Sequence, residues 1–143
     1  MPTTWIVAAD ASRARILQVA DRDRLVEVEN LLNPEGRLQN REIDTDGPGR
    51  FPRGNTWEPD VSAVEHRNEL FAKRVADYLD KARNDRRYER LVVVAAPKML
   101  GQLRQGLGKE VEKLVLDEVP KDLSWFNARE IERYFAKGSG RVP

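Results

Sequence analysis

Three acidic residues stand where carboxylates from separate elements could bind divalent metal ions. Asp10 directly follows the first apolar run of this 143-residue chain, and Glu65 and Glu69 lie in a later stretch with helical spacing. Carboxylates placed in this way can hold two metal ions for in-line attack on a phosphate. The strongest apolar run, residues 91–96, offers no further acid to complete such a set. We therefore expect no metal site and no nuclease chemistry, and we interpret Asp10 as a turn residue.

The residue types that the chain lacks restrict the remaining enzyme chemistry. It contains no cysteine, which excludes a thiolate nucleophile and a zinc site built on Cys. The single histidine, His66, excludes a multi-histidine metal centre, and its charged neighbours favour a solvated surface residue. No serine lies in a G-x-S-x-G motif, and Gly101, Gly106 and Gly108 lie in or after a helix rather than between a strand and a helix, so they form no phosphate-binding fingerprint. We expect neither a cofactor nor a catalytic residue.

Arginine and aromatic residues alternate in one window of a long polar stretch, between residues 50 and 57. Arginine bonds phosphate or stacks, and an aromatic ring accepts a base, so this composition is typical of an RNA-contacting loop. The alternative is that Phe51 and Trp57 fold back and fasten the loop to the domain. The RNA-binding residues predicted in this window are Arg50, Phe51, Arg53, Gly54, Asn55 and Trp57.

The overall charge argues against binding through a broad basic surface. The chain has 25 Lys and Arg against 24 Asp and Glu, which gives a formal net charge of +1. Proteins that bind nucleic acid mainly through phosphates usually carry a clear basic excess, so any RNA contact must rest on a local patch. Four cations outside the window are the next candidates: Arg13, Arg15, Lys98 and Arg104.

The hydrophobic pattern predicts the elements that must position these residues. Continuous or alternating apolar runs predict strands near residues 5–9, 13–19, 25–29, 91–96 and 113–119. The last of these also fits a helix, but we predict a strand because the helix before it needs a sheet partner. A first helix is predicted from an apolar stripe at helical spacing, formed by Val64, Phe71, Val75, Leu79 and Ala82. A second begins at Pro97 and buries Met99, Leu100, Leu103 and Leu107. A third begins at the capping box Asn127–Glu130, with Ile131, Tyr134 and Phe135 facing inward.

The order β-β-β-loop-α-β-α-β-α predicts an α/β fold with three antiparallel strands followed by two crossover units. Because such crossovers are right-handed, few arrangements remain, and we favour a ribonuclease H-like mixed five-stranded sheet with strand order 3-2-1-4-5 and helices packed on it. We expect a single domain over residues 1–143. A long loop at about 33–61, rich in Gly and Pro, interrupts it, and we expect this loop to be mobile in the free protein.

Several segments, taken in order, resemble bacterial proteins required for attachment to host cells. They are Ile6–Asp10 with Arg13–Leu17, then Phe71–Leu79, Leu91–Arg104 and Lys121–Ser124, and together they span essentially the whole chain. That family is in turn similar to the middle domain of archaeo-eukaryotic peptide-chain release factors. The resemblance implies the fold that the element order predicts.

The same resemblance implies a catalytic loop that this chain does not reproduce. In the release factors, the loop between the third strand and the long helix carries Gly-Gly-Gln, whose glutamine positions the water that attacks the peptidyl ester. The nearest segments here are Gly47-Pro48-Gly49 and Arg53-Gly54-Asn55. Since neither supplies paired glycines and a glutamine, we expect no peptide release.

These observations predict a non-catalytic, cytoplasmic factor that binds the ribosome, tRNA or another RNA. Two alternatives stay open: a degenerate peptidyl-tRNA hydrolase acting through Asn55, and a homo-oligomeric adaptor that influences attachment indirectly through its helices. No apolar run reaches the roughly 18 residues of a membrane span, and the N-terminus lacks the basic and apolar regions of a secretory signal. We therefore expect no membrane partner.

Overall fold

The computed structural model describes residues 2–34 and 61–136. Its strands are β1 (Thr4–Ala9), β2 (Arg13–Val19), β3 (Leu25–Leu32), β4 (Arg90–Ala95) and β5 (Val115–Val119). Its helices are α1 (Val61–Asn84), α2 (Pro97–Gly106), α3 (Lys109–Glu112) and α4 (Ala128–Ala136), and a tight turn at Asp21–Asp23 joins β2 to β3. Within these two ranges, no helix is both long and apolar enough to cross a membrane.

The strands form one mixed sheet in the order β3-β2-β1-β4-β5, which confirms the predicted order. β1 pairs antiparallel with β2 and parallel with β4, while β3 and β5 form the two edges. All six residues of β1 are buried, as expected for a central strand whose two faces are both covered. The α/β architecture is therefore the predicted one, and its assignment to the ribonuclease H-like group stays a prediction.

Alternating residues of the central strands feed two separate cores. Trp5, Val7 and Val93 point into the larger core, which α1 and α2 cover with their apolar stripes. Ile6, Val92 and their same-face neighbours form the smaller core, which α4 covers with Ile131 and Phe135. The sheet is thus a middle layer between two helical layers, and its side-chain alternation follows the period of two that strands impose.

The capping box predicted at Asn127 is present and sets the start of α4. The Glu130 N–H donates to Asn127 Oδ1, and the Asn127 N–H donates to Glu130 Oε1, each at 2.8 Å. These reciprocal bonds satisfy two backbone donors that the first turn of a helix leaves unpaired. They also fix where the loop of residues 120–127 ends.

The segment between α2 and β5 contains a helix that the sequence pattern did not predict. α3 is only one turn long, and it buries Val111 in the larger core. A single turn gives no apolar periodicity, so it cannot be recognised by spacing. The strand predicted after it is present as β5, and the Leu114 carbonyl accepts a hydrogen bond from the Leu91 N–H at 2.9 Å.

Side chains of α1 and α4 form hydrogen bonds with backbone groups at both ends of the edge strand β3. The Leu25 N–H donates to Glu132 Oε2 at 2.7 Å, and Arg129 Nη2 donates to the Leu25 carbonyl at 2.8 Å. At the other end, Arg74 Nη1 donates to the Leu32 carbonyl at 2.9 Å. An incoming strand would have to displace these bonds, so β3 is protected against edge-to-edge pairing.

The turn between β2 and β3 places two ordinary residues in the left-handed region. Arg22 has φ 61° and Asp23 has φ 59°, and the Arg24 N–H donates to the Asp21 carbonyl at 3.3 Å. Left-handed conformations at both central positions define a type I′ turn, which favours Asn-Gly. Residues with an ordinary Cβ are strained there.

Replacing Arg22 with Asn and Asp23 with Gly is therefore expected to stabilise the protein. The relief of strain exceeds the extra chain entropy of glycine, and we expect the free energy of unfolding to rise by about 1 kcal/mol. Urea denaturation measures this as a higher midpoint with an unchanged m-value. A lower midpoint would show that Arg22 or Asp23 contributes a contact that outweighs the strain.

Candidate functional site

The carboxyl ends of β1 and β4 meet at one edge of the sheet. Ala9 pairs with Ala95 at this end, β1 turns into β2 on one side, and β4 leads through α2 to β5 on the other. In open α/β sheets, ligands bind outside the carboxyl ends of parallel strands where the connections diverge in this way. We call this end, with the turns that follow Ala9 and Ala95, the carboxyl edge.

Asp10 organises the turn at the carboxyl edge. Its Oδ1 accepts hydrogen bonds from the backbone N–H groups of Ser12 (2.7 Å) and Arg13 (2.8 Å). Its Oδ2 accepts a hydrogen bond from the indole N–H of Trp125. Both carboxylate oxygens are therefore used within the protein, which agrees with the interpretation of Asp10 as a turn residue.

Arg13, a predicted RNA contact, is fixed at the carboxyl edge by an aromatic ring. Its guanidinium carbon lies 3.9 Å from the ring centroid of Trp125, within the range of a cation–π interaction. Its Nε–H is buried without a hydrogen-bond partner, and the guanidinium forms no ion pair with any residue in ranges 2–34 and 61–136. Arg13 is thus a cation held over the Trp125 ring, and its Nε–H has no acceptor in the described part of the protein.

Trp125 is a candidate site residue that sequence reasoning missed. It is 59% exposed and its neighbour Phe126 is 41% exposed, in the loop between β5 and α4. The signal in the sequence was an adjacent aromatic pair between polar residues, just before the capping box. Its proximity to Arg13 could not be read from the sequence, because the two residues are 112 positions apart.

Arg15, the second predicted contact on β2, is only 6% exposed and fastens the Trp125 loop to the sheet. Its Nη1 donates to the Ser124 carbonyl at 3.1 Å and also to the Phe126 carbonyl. Its Nη2 and Nε donate to Glu27 Oε1 at 2.9 and 3.2 Å. The side chain therefore clamps the backbone on both sides of Trp125, and its role as an RNA contact stays a prediction.

The two predicted contacts on α2 differ in position. Lys98 is exposed in the first turn of α2, directly after β4, and so lies at the carboxyl edge. Arg104 lies further along the helix, where its Nε donates to Glu118 Oε2 at 3.3 Å. The hydrogen bond to Glu118 raises the pKa of the Arg104 guanidinium. Of these two cations, only Lys98 joins Arg13 at the carboxyl edge.

The predicted contacts in the long loop, Arg50, Phe51, Arg53, Gly54, Asn55 and Trp57, lie outside the described residues. The structure does show where the chain enters this segment. The Asn33 N–H donates to the Ser12 carbonyl at 2.8 Å, and Asn33 Nδ2 donates to the Ala11 carbonyl at 2.7 Å. The segment between Pro34 and α1 therefore leaves the sheet next to the Asp10 turn, at the carboxyl edge.

Other parts of the described structure offer less chemistry. Within residues 2–34 and 61–136, no three His, Asp or Glu side chains come together as metal ligands, and His66 is exposed. A polar depression of about 300 Å³ lies between α1 and α2, lined by Glu69, Lys73, Gln102, Gln105 and Gly106. Burial raises the pKa of Tyr88, whose hydroxyl donates to the Leu79 carbonyl at 2.7 Å. Tyr88 is therefore a neutral structural residue.

Comparisons with known proteins relate the chain to one family. A family model described as "Protein required for attachment to host cells" matches residues 5–135. Over 82 residues, the chain is 35% identical to "Uncharacterized protein RP470" of Rickettsia prowazekii (strain Madrid E), a match that covers 56% of this chain and 55% of that protein. The chain thus matches about half the length of this relative. A solved structure titled "Archaeal protein" is similar to this chain with a TM-score of 0.46 and 12% identity. The match covers 96% of this chain and 41% of the chain in that structure.

Proposed function

The chain belongs to the family of proteins required for attachment to host cells, and from that premise we propose that it is a non-catalytic factor that binds RNA, on the ribosome or on tRNA. In this proposal it resembles a release-factor middle domain without Gly-Gly-Gln. It would then influence attachment indirectly, through the translation of other proteins. The RNA contact surface comprises the carboxyl edge and the segment that leaves it after Asn33.

The observation that carries the proposal is the state of the Arg13 side chain. The guanidinium lies 3.9 Å from the centroid of the Trp125 ring and forms no ion pair with a residue in ranges 2–34 and 61–136, so no direct ion pair neutralises its positive charge at the carboxyl edge. A phosphate oxygen supplies the opposite charge and an acceptor for the terminal N–H groups of the guanidinium. The geometry of Arg13 thus favours a ligand that brings an oxyanion to the carboxyl edge.

A second cation at the same edge supports a polymer rather than a single small anion. Lys98 lies on the neighbouring connection, in the first turn of α2. A net charge of +1 provides little attraction over the rest of the surface. Each cation at this edge should therefore carry a large share of the binding.

We test the proposal by measuring RNA binding over a salt series, using tRNA and ribosomal RNA fragments in gel shifts. Arg13→Ala should weaken binding several-fold and lower the slope of log affinity against log salt by about 0.7 to 0.9, the value for one phosphate contact. Arg22→Asn removes the same charge at the opposite end of the sheet and should change neither quantity. Equal binding by both variants would contradict the proposal, and so would a wild-type protein that binds no RNA.

A further inference from the structure

We infer that the outward face of Trp125 binds an unpaired base, so that the preferred ligand is single-stranded or looped RNA rather than duplex. This inference rests on the proposed RNA binding and adds a substrate class to it. It is carried by the environment of Trp125, which differs from that of every other tryptophan in the described residues: Trp5 is buried, whereas Trp125 is 59% exposed.

The first step in the argument is that Trp125 is held in place despite its exposure. Its indole N–H donates to Asp10, and Arg13 covers one of its faces. The backbone carbonyls of the residues on either side of it accept hydrogen bonds from the buried Arg15. An exposed aromatic ring that is fixed on three sides loses little conformational entropy when a ligand stacks on it.

The second step is that a base fits this ring better than a hydrogen-bonding ligand does. The indole N–H is already used, so the side chain offers a π face and no free donor. Stacking on an aromatic ring contributes about 1–3 kcal/mol per base and tolerates any base, because every base has a π face. The Arg13 guanidinium, 3.9 Å from the ring centroid on the opposite face, places a positive charge next to this stacking surface.

The third step is that duplex RNA cannot supply this contact. Bases in an A-form helix are stacked on their neighbours, and only unpaired bases in loops, bulges and ends can be splayed onto a side chain. A duplex can still place phosphates near Arg13. The affinities for single strand and for duplex should therefore both depend on Arg13, whereas only the affinity for single strand should depend on Trp125.

The experiment compares a short oligoadenylate with the duplex of the same sequence, using tryptophan fluorescence and a competition assay. In a Trp57→Phe background, the remaining signals are those of buried Trp5 and exposed Trp125. We expect the single strand to quench the fluorescence and to bind at least about fivefold more tightly than the duplex, as a stacked base worth 1 kcal/mol or more predicts.

Variants at position 125 decide between stacking and a merely structural role. Trp125→Ala should lose the single-strand preference, whereas Trp125→Phe, which keeps a ring but no N–H, should restore most of it. Suppose that single strand and duplex bind equally well, that Trp125→Ala changes neither, and that Arg13→Ala weakens both. That result would overturn this inference and leave the proposed function standing. If the wild-type protein bound neither the single strand nor the duplex, this inference and the proposed function would both be overturned. Circular dichroism of each variant confirms that the fold is retained.

Discussion

Replacing Arg15 with alanine is expected to lower the free energy of unfolding by about 3 kcal/mol. The change removes the hydrogen bonds to the Ser124 and Phe126 carbonyls and leaves a cavity where a buried side chain was. Glu27 contributes less to the loss, because its side chain is 36% exposed and can be solvated again. Urea or thermal denaturation monitored by circular dichroism measures the effect.

Two matched variants show where that loss comes from. Arg15→Met keeps most of the volume and removes the hydrogen bonds and the ion pair with Glu27, so its destabilisation should be smaller than that of Arg15→Ala. Arg104→Ala breaks another arginine–glutamate pair, between α2 and β5, but that pair lies at the surface, and the unfolding midpoint should scarcely move. If Arg15→Ala were as stable as Arg104→Ala, the clamp on the Trp125 loop would not exist in solution.

Removing Arg13, Arg50 and Arg53 together is expected to weaken RNA binding by about a hundredfold at low salt. Three phosphate contacts on a single strand account for a decrease of about 2 in the slope of log affinity against log salt, at about 0.7 per contact. The effect exceeds that of Arg13→Ala alone because the protein has little other positive potential to replace these cations. Filter binding across a salt series measures both quantities.

The control for this prediction removes the same charge from the opposite end of the sheet. It combines Arg22→Asn, Arg86→Asn and Lys113→Ala, three exposed positions away from the carboxyl edge. We expect this variant to keep most of the affinity and the full salt slope. A similar loss in both triple variants would mean that RNA responds only to net charge, and the carboxyl edge would then not be the contact surface.

Much of the fold was predictable because the two central strands are apolar on both faces. Runs such as Leu91–Ala96 have few alternatives to a buried strand, and the capping box at Asn127 identifies a helix start without any tertiary information. Right-handed crossovers then leave few strand orders, and the one favoured from the sequence is the one observed. The helix α3 was not predicted, because a single turn is too short to show a helical hydrophobic period.

The candidate site was less predictable, since it depends on contacts between distant parts of the chain. Arg13 and Arg15 look equivalent in the sequence, two residues apart on one strand. The loop before α4 gives the two side chains different surroundings, because it places the ring of Trp125 against Arg13 and backbone carbonyls against Arg15. No local pattern encodes that difference, because it arises only when α4 and the loop before it pack on the second face of the sheet.

Ribosome co-sedimentation from native lysate tests the central claim most directly. The wild-type protein should sediment with ribosomes at low salt and move to the supernatant as the salt concentration rises, because phosphate contacts are weakened by counterion competition. The Arg13→Ala/Trp125→Ala variant should stay in the supernatant throughout, and Arg22→Asn should behave as wild type. The claim would be contradicted by a wild-type protein that neither sediments with ribosomes nor binds tRNA in the gel shifts, or by a double variant that sediments equally well at every salt concentration.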